Sequence, residues 1–92
     1  MSVADVIRKK LTDTFSPARL DVIDESGRHA GHVGGRPGGE THFRVEIVSA
    51  TFAGRSRVDR QRLVYVALAA EMGNPVHALS IQATTPEEAQ KA

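Results

Sequence analysis

Thr41-His42-Phe43-Arg44-Val45-Glu46-Ile47-Val48 sets apolar Phe43, Val45 and Ile47 in strict alternation with polar His42, Arg44 and Glu46. A period of two over this length is the pattern of a β-strand with one face on a core and the other in water. Downstream, past Phe52 and Gly54, Ser56 and Asp59 have the spacing of a helix capping box, and Val64, Ala67, Leu68 and Met72 form an apolar stripe ending near Gly73. The spacing predicts a helix over about residues 57 to 72. Pro75 resets the chain, and Leu79, Ile81 and Ala83 alternate as a last strand. A strand, helix and strand in that order join parallel neighbours through a right-handed crossover.

Upstream, Leu20 to Asp24 reads as a short strand antiparallel to the first, with Leu20 and Val22 on one face. Before it, Val3, Val6, Ile7 and Leu11 recur at helical spacing, and Ser2 with Asp5 makes a second capping box, so a helix is expected over about residues 3 to 13. Arg8, Lys9 and Lys10 mostly face away from its apolar side. Thr85, Pro86 and Glu88 supply a cap, an N1 proline and a third-position acid for a short helix near residues 86 to 92. The expected fold is an α+β two-layer sandwich, a three-stranded mixed sheet with helices on one face.

A chain of 92 residues with 40% apolar content supports one core, so residues 1 to 92 are expected to form a single domain. Three Phe, one Tyr and no Trp offer few platforms for stacking on unpaired bases, which disfavours a single-strand nucleic-acid reader. A formal charge of +1 provides no global field for phosphate or anionic lipid, so any nucleic-acid contact must use a local patch. The absence of cysteine excludes disulfides and thiolate catalysis within the chain and is compatible with a reducing compartment. The N-terminus lacks the apolar core of a secretory signal, and no run approaches the roughly 18 apolar residues of a membrane span. A cytoplasmic protein with no membrane association is the expectation.

Between the first two strands, Glu25 to Glu40 reads ESGRHAGHVGGRPGGE, with six glycines and no helix or strand pattern. Connections longer than roughly 12 to 15 residues are uncommon in compact domains and are usually functional or disordered. This one carries His29 and His32; His42 follows it directly, and His77 stands just ahead of the last strand. Parallel neighbours start at one edge of a sheet, so all four histidines belong to one end of the fold. Alternation then assigns His77 to the helix side with Leu79 and Ile81, and His42 to the solvent side with Arg44 and Glu46. His42 is therefore expected on the wrong face to join His77, leaving His77 and either His29 or His32 as a candidate metal pair. The bland alternative makes His77 a partly buried histidine bonded to backbone, and the loop histidines solvated filler. Nitrogens without thiolate rarely complete a structural zinc or iron-sulfur site, so missing sulfur would come from another molecule.

Two other constellations stand beside the histidines. Arg55, Arg57, Arg60 and Arg62 gather near the start of the long helix, where a helix-turn-helix reader addresses base edges. Asp59 inside this group is what an ordinary solvated face would also contain. Ser80 near His77 lacks an orienting acid or oxyanion donors, and Asp24 with Glu25 reads as a turn, so catalysis is not expected.

The runs DESGRHAGH, GGETHFRVEIVS, FAGRSRVDRQRLVY and VHALSIQATTPEE, taken in order, resemble the BolA family from about Leu11 to Glu88. The resemblance implies an αββααβ arrangement related to class II KH domains. The GxxG spacings Gly31 to Gly34 and Gly35 to Gly38 lie between strands here, not between the helices where a KH module grips phosphate. It also implies association with a monothiol glutaredoxin and a shared [2Fe-2S] cluster, with glutaredoxin cysteine and glutathione supplying sulfur. His77 in VHALSI matches the family's histidine ligand before the last strand, and His29 or His32 its loop ligand. The isolated chain, a monomer or weak homodimer, is then expected to hold no cluster tightly. The family's second implied role is transcriptional regulation through double-stranded DNA, using the arginine face, with Gln61 where the family often has histidine.

Overall fold

The computed structural model describes residues 2 to 25, 41 to 73 and 76 to 91. Helix α1 spans Val3–Phe15, β1 Arg19–Asp24, β2 His42–Val48, α2 Arg57–Ala67, β3 Ala78–Thr84 and α3 Pro86–Lys91, with a 3₁₀ turn at Ala50–Phe52 before α2. The strands lie in the order β1-β2-β3, β1 antiparallel to β2 and β2 parallel to β3. Arg19 stands opposite Val48 in the first pair, and His42 opposite Ala78 in the second. This is the expected α+β arrangement, with the first member of the paired helices reduced to the 3₁₀ turn.

Sequence chemistry accounts for each boundary. Ser2 accepts the Asp5 N–H while Asp5 returns a bond to the Ser2 N–H, closing the capping box that starts α1. Ser56 accepts the Asp59 N–H at α2, and Thr85 and Glu88 exchange two such bonds at α3. Helix α1 ends at Ser16, a non-glycine residue with φ of 44°, just ahead of Pro17.

Helix α2 stops at Ala67, short of the expected end near residue 72. From Leu68 onward the N–H groups of Ala69 and Glu71 reach carbonyls three residues back, so the chain tightens into turns. Leu68 is buried, Met72 partly so, and their four-residue spacing suits either geometry. The stripe fixed the buried side and not the helix length.

One apolar cluster unites α1 (Ile7, Leu11, Phe15), the inner face of β2 (Phe43, Val45, Ile47), Phe52, and α2 with its extension (Val64, Leu68). Phe15 and Phe52 pack with ring centroids 5.1 Å apart. Each fully buried side chain of this size contributes about 1.5 to 3 kcal/mol of transfer free energy. Arg44 and Ser80 point from the other face of the sheet into solvent. Lys10 bonds Glu71 at 2.7 Å, pinning α1 to the turns after α2. No helix among the described residues is long and apolar enough to cross a membrane.

Candidate functional site

The segment entering β3 is held from both sides. Val76 is buried in the core, donating to the Glu71 carbonyl at 3.0 Å and accepting from the Gly73 N–H at 2.7 Å. The next two N–H groups, of His77 and Ala78, both donate to the Thr41 carbonyl, at 2.7 and 3.2 Å. In a regular strand successive N–H groups point to opposite edges, so two on one acceptor mark a local irregularity of the kind a bulge produces. Parity counted back from Leu79 and Ile81 therefore fails at His77, which is exposed instead of facing the helices.

The result is a histidine pair that strand alternation had forbidden. The His42 and His77 rings stack with centroids 6.4 Å apart and planes 20° from parallel. The expectation that His42 lies on the wrong face is overturned, because His77, not His42, changes side. Thr41 holds both members: its hydroxyl lies 2.9 Å from His42 Nδ1, and its carbonyl fixes the His77 backbone. Thr41 is itself buried. Sequence reading passed it over, since a threonine opening a strand carries no signal of a two-sided contact.

The glycine-rich connection departs from beside this pair. The Glu25 N–H donates to the His42 carbonyl at 2.8 Å, and the described chain resumes at Thr41. His29 and His32 lie outside the described residues. Among the described residues no three His, Cys, Asp or Glu side chains are grouped for a metal ion, and the chain has no cysteine. Two imidazoles on one rim, His77 exposed and His42 half-buried, suit zinc, copper, iron or nickel in the presence of further donors.

The arginines separate into distinct roles. Arg60 donates to both Glu88 oxygens, at 2.6 and 3.1 Å, and to the Ala83 and Arg55 carbonyls. Its side chain is only 13% exposed, so this guanidinium is a clasp between α2, β3 and α3 and is not available to an external phosphate. The Arg60 guanidinium, with help from the Thr85 N–H, holds the Glu88 carboxyl at a pKa lowered to about 2. Arg55 and Arg57 are exposed and make no ion pair among the described residues, and Arg62 meets Asp59 only at 3.9 Å. The four-arginine group expected from sequence is thus three exposed cations and one structural one.

An α+β domain with a histidine pair on the rim of its sheet, and with its helix-capping clasp and exposed arginines on another side, is the class these elements define. Residues 11 to 88 match the family model described as BolA-like protein, and the chain belongs to that family. It is 52% identical over 86 residues to BolA-like protein 1 of Homo sapiens, covering 94% of this chain and 60% of the human protein. It is 46% identical over 89 residues to the DNA-binding transcriptional regulator BolA of Vibrio cholerae, covering 97% of this chain and 80% of that protein. Among solved structures, the BolA domain of SufE1 from Arabidopsis thaliana superposes with a TM-score of 0.84 at 46% identity, covering 96% of each chain.

Proposed function

We propose that this protein is a non-enzymatic partner of a monothiol glutaredoxin, sharing a [2Fe-2S] cluster with it in iron-sulfur trafficking or iron regulation. The observation that carries the reading is the pairing of half-buried His42 with exposed His77 in a chain without cysteine. Imidazole can replace thiolate on one iron of such a cluster and raises its potential, so nitrogen donors here and sulfur donors on glutaredoxin and glutathione are chemically complementary. The relationship to the BolA domain of SufE1 is consistent with an iron-sulfur role. His77 supplies one nitrogen; the second comes from His42, already beside it, or from His29 or His32.

The test is anaerobic reconstitution of the cluster on this chain mixed with a monothiol glutaredoxin and glutathione. His77→Ala should abolish the heteromeric visible absorption and circular dichroism bands, and unchanged spectra would sink the reading. Single alanine variants at His29, His32 and His42 then identify the second nitrogen by which one reproduces the His77→Ala spectrum.

A second reading, a DNA-binding regulator, is favoured by the Vibrio relative and by exposed Arg55, Arg57 and Arg62 at the start of α2. It predicts sequence-dependent duplex binding whose logarithmic salt slope falls by about 1 on Arg57→Ala. The Arg60→Ala variant should act through stability instead. Binding with no preference over random duplex would reduce this reading to a nonspecific electrostatic contact.

A further inference from the structure

Strand β3 is an edge strand, with no further strand paired on its outer side among the described residues. The Thr84 carbonyl accepts from Ser49 on the β2 side, whereas the carbonyls of Leu79 and Ala83 accept from Tyr65 Oη and Arg60 Nη1 of α2 on the other. By the period of two, the peptide N–H and C=O of Ile81 point outward between these two capped carbonyls. No hydrogen bond to that outer side of Ile81 exists among the described residues. A groove of about 360 Å³ runs along this stretch, lined by Arg44, Arg57, Arg60, Gln61, Ser80 and Gln82 among others, with no acidic residue lining it among the described residues.

We propose that this groove receives an extended acidic segment of a partner protein, added as an antiparallel strand beside β3. Antiparallel pairing lets one guest residue exchange both its N–H and its C=O with Ile81, and Tyr65 and Arg60 fix the register by closing the carbonyls on either side. Alternate guest side chains then fall on two cationic walls. Those on the open sheet face meet Arg44, whose half-exposed guanidinium is shared with Glu46 at 3.6 Å, and those on the helix side meet exposed Arg57. A second copy pairing through its own β3 is a poor occupant, because Ala78–Thr84 contains no acidic residue to answer the arginines. Pairing through its β1, which carries Asp21 and Asp24, would show as concentration-dependent shifts of Ile81 without peptide and would overturn the proposal. A phosphate backbone is also poorer, since phosphate accepts hydrogen bonds but offers none to the Ile81 carbonyl. The site is independent of the histidine rim and does not rest on the cluster reading.

The experiment titrates the full ¹⁵N-labelled chain with a ten-residue alternating Glu-Val peptide, with the same peptide methylated at alternate backbone nitrogens, and with random-sequence duplex DNA. The unmethylated peptide should shift Ile81, Ala83 and Gln61 and slow exchange of the Ile81 amide by about tenfold or more. The methylated peptide keeps every charge but cannot complete the ladder, and should lose most of the affinity. Arg57→Glu puts an acid at the first position of α2, where the helix dipole tolerates it, and should weaken the peptide several-fold without unfolding the chain. Equal binding of both peptides, unaltered Ile81 exchange at saturation, or no peptide binding at low salt overturns the proposal. Duplex DNA that displaces the peptide from these same residues at higher affinity overturns it as well.

Discussion

Glu88 closes several contacts at once, accepting two bonds from Arg60 and one from the Thr85 N–H. Its carboxyl is held at about 2 against an ordinary 4.5, chiefly by the Arg60 guanidinium. A folded-state pKa below the unfolded one gives a contribution to stability that is complete above about 4.5 and is lost as the pH falls toward 2. The denaturation midpoint should therefore decline through this acid window, and Glu88→Gln should flatten that part of the profile when urea midpoints are compared across it. Thr41 works at the same scale on the other side of the molecule. Thr41→Val keeps the buried shape and the carbonyl on His77 but removes the hydroxyl on His42, so the His42 ring should gain mobility while the fold persists. Broadened His42 ring resonances with unchanged His77 backbone shifts would be the expected signature.

At the scale of elements, hydroxyl caps start the three α-helices among the described residues, at Ser2, Ser56 and Thr85. Ser56→Ala removes the acceptor for the Asp59 N–H and should cost about 1 kcal/mol in urea unfolding. These starts were legible in the sequence because a cap is a local event, needing only a hydroxyl and an amide three residues on. The end of α2 was not legible. Leu68 and Met72 satisfy helical spacing whether the backbone continues as α-helix or tightens into turns, and the choice is made by how the chain must turn to bring buried Val76 under the sheet. Strand alternation shows the same division. It held along β2 and β3 proper, and failed at His77, one residue before the ladder, where two N–H groups share the Thr41 carbonyl.

For the whole molecule, α1, the sheet and α2 share one apolar cluster, and Phe52 sits fully buried in it against Phe15. Phe52→Ala should destabilise by about 3 to 5 kcal/mol, a large part of the roughly 5 to 15 kcal/mol total stability of a domain. Val66→Ala, at a site 74% exposed, should stay within about 0.5 kcal/mol. If urea unfolding gave the two variants similar midpoints, the assignment of Phe52 to the core would be wrong. The buried faces of α1, α2 and the strands followed from periodicity, because alternation and helical spacing report directly on which side of a backbone meets apolar neighbours, and the strand arrangement followed from the connections between them.

The sequence by itself also determined that the chain can offer nitrogen and no sulfur, and that His42 and His77 belong to one end of the sheet. Only the tertiary structure decided which histidine stands with which. His42 and His77 meet because Thr41, just ahead of the neighbouring strand, draws two successive N–H groups to one oxygen and turns His77 outward. It likewise divided four equivalent-looking arginines, since whether a guanidinium is free depends on a carboxylate 28 residues away folding back onto it. Local pattern fixes the face an element buries. Contacts between elements, distant in the chain and weak in any linear signal, fix which polar groups are spent on the fold and which are left to act.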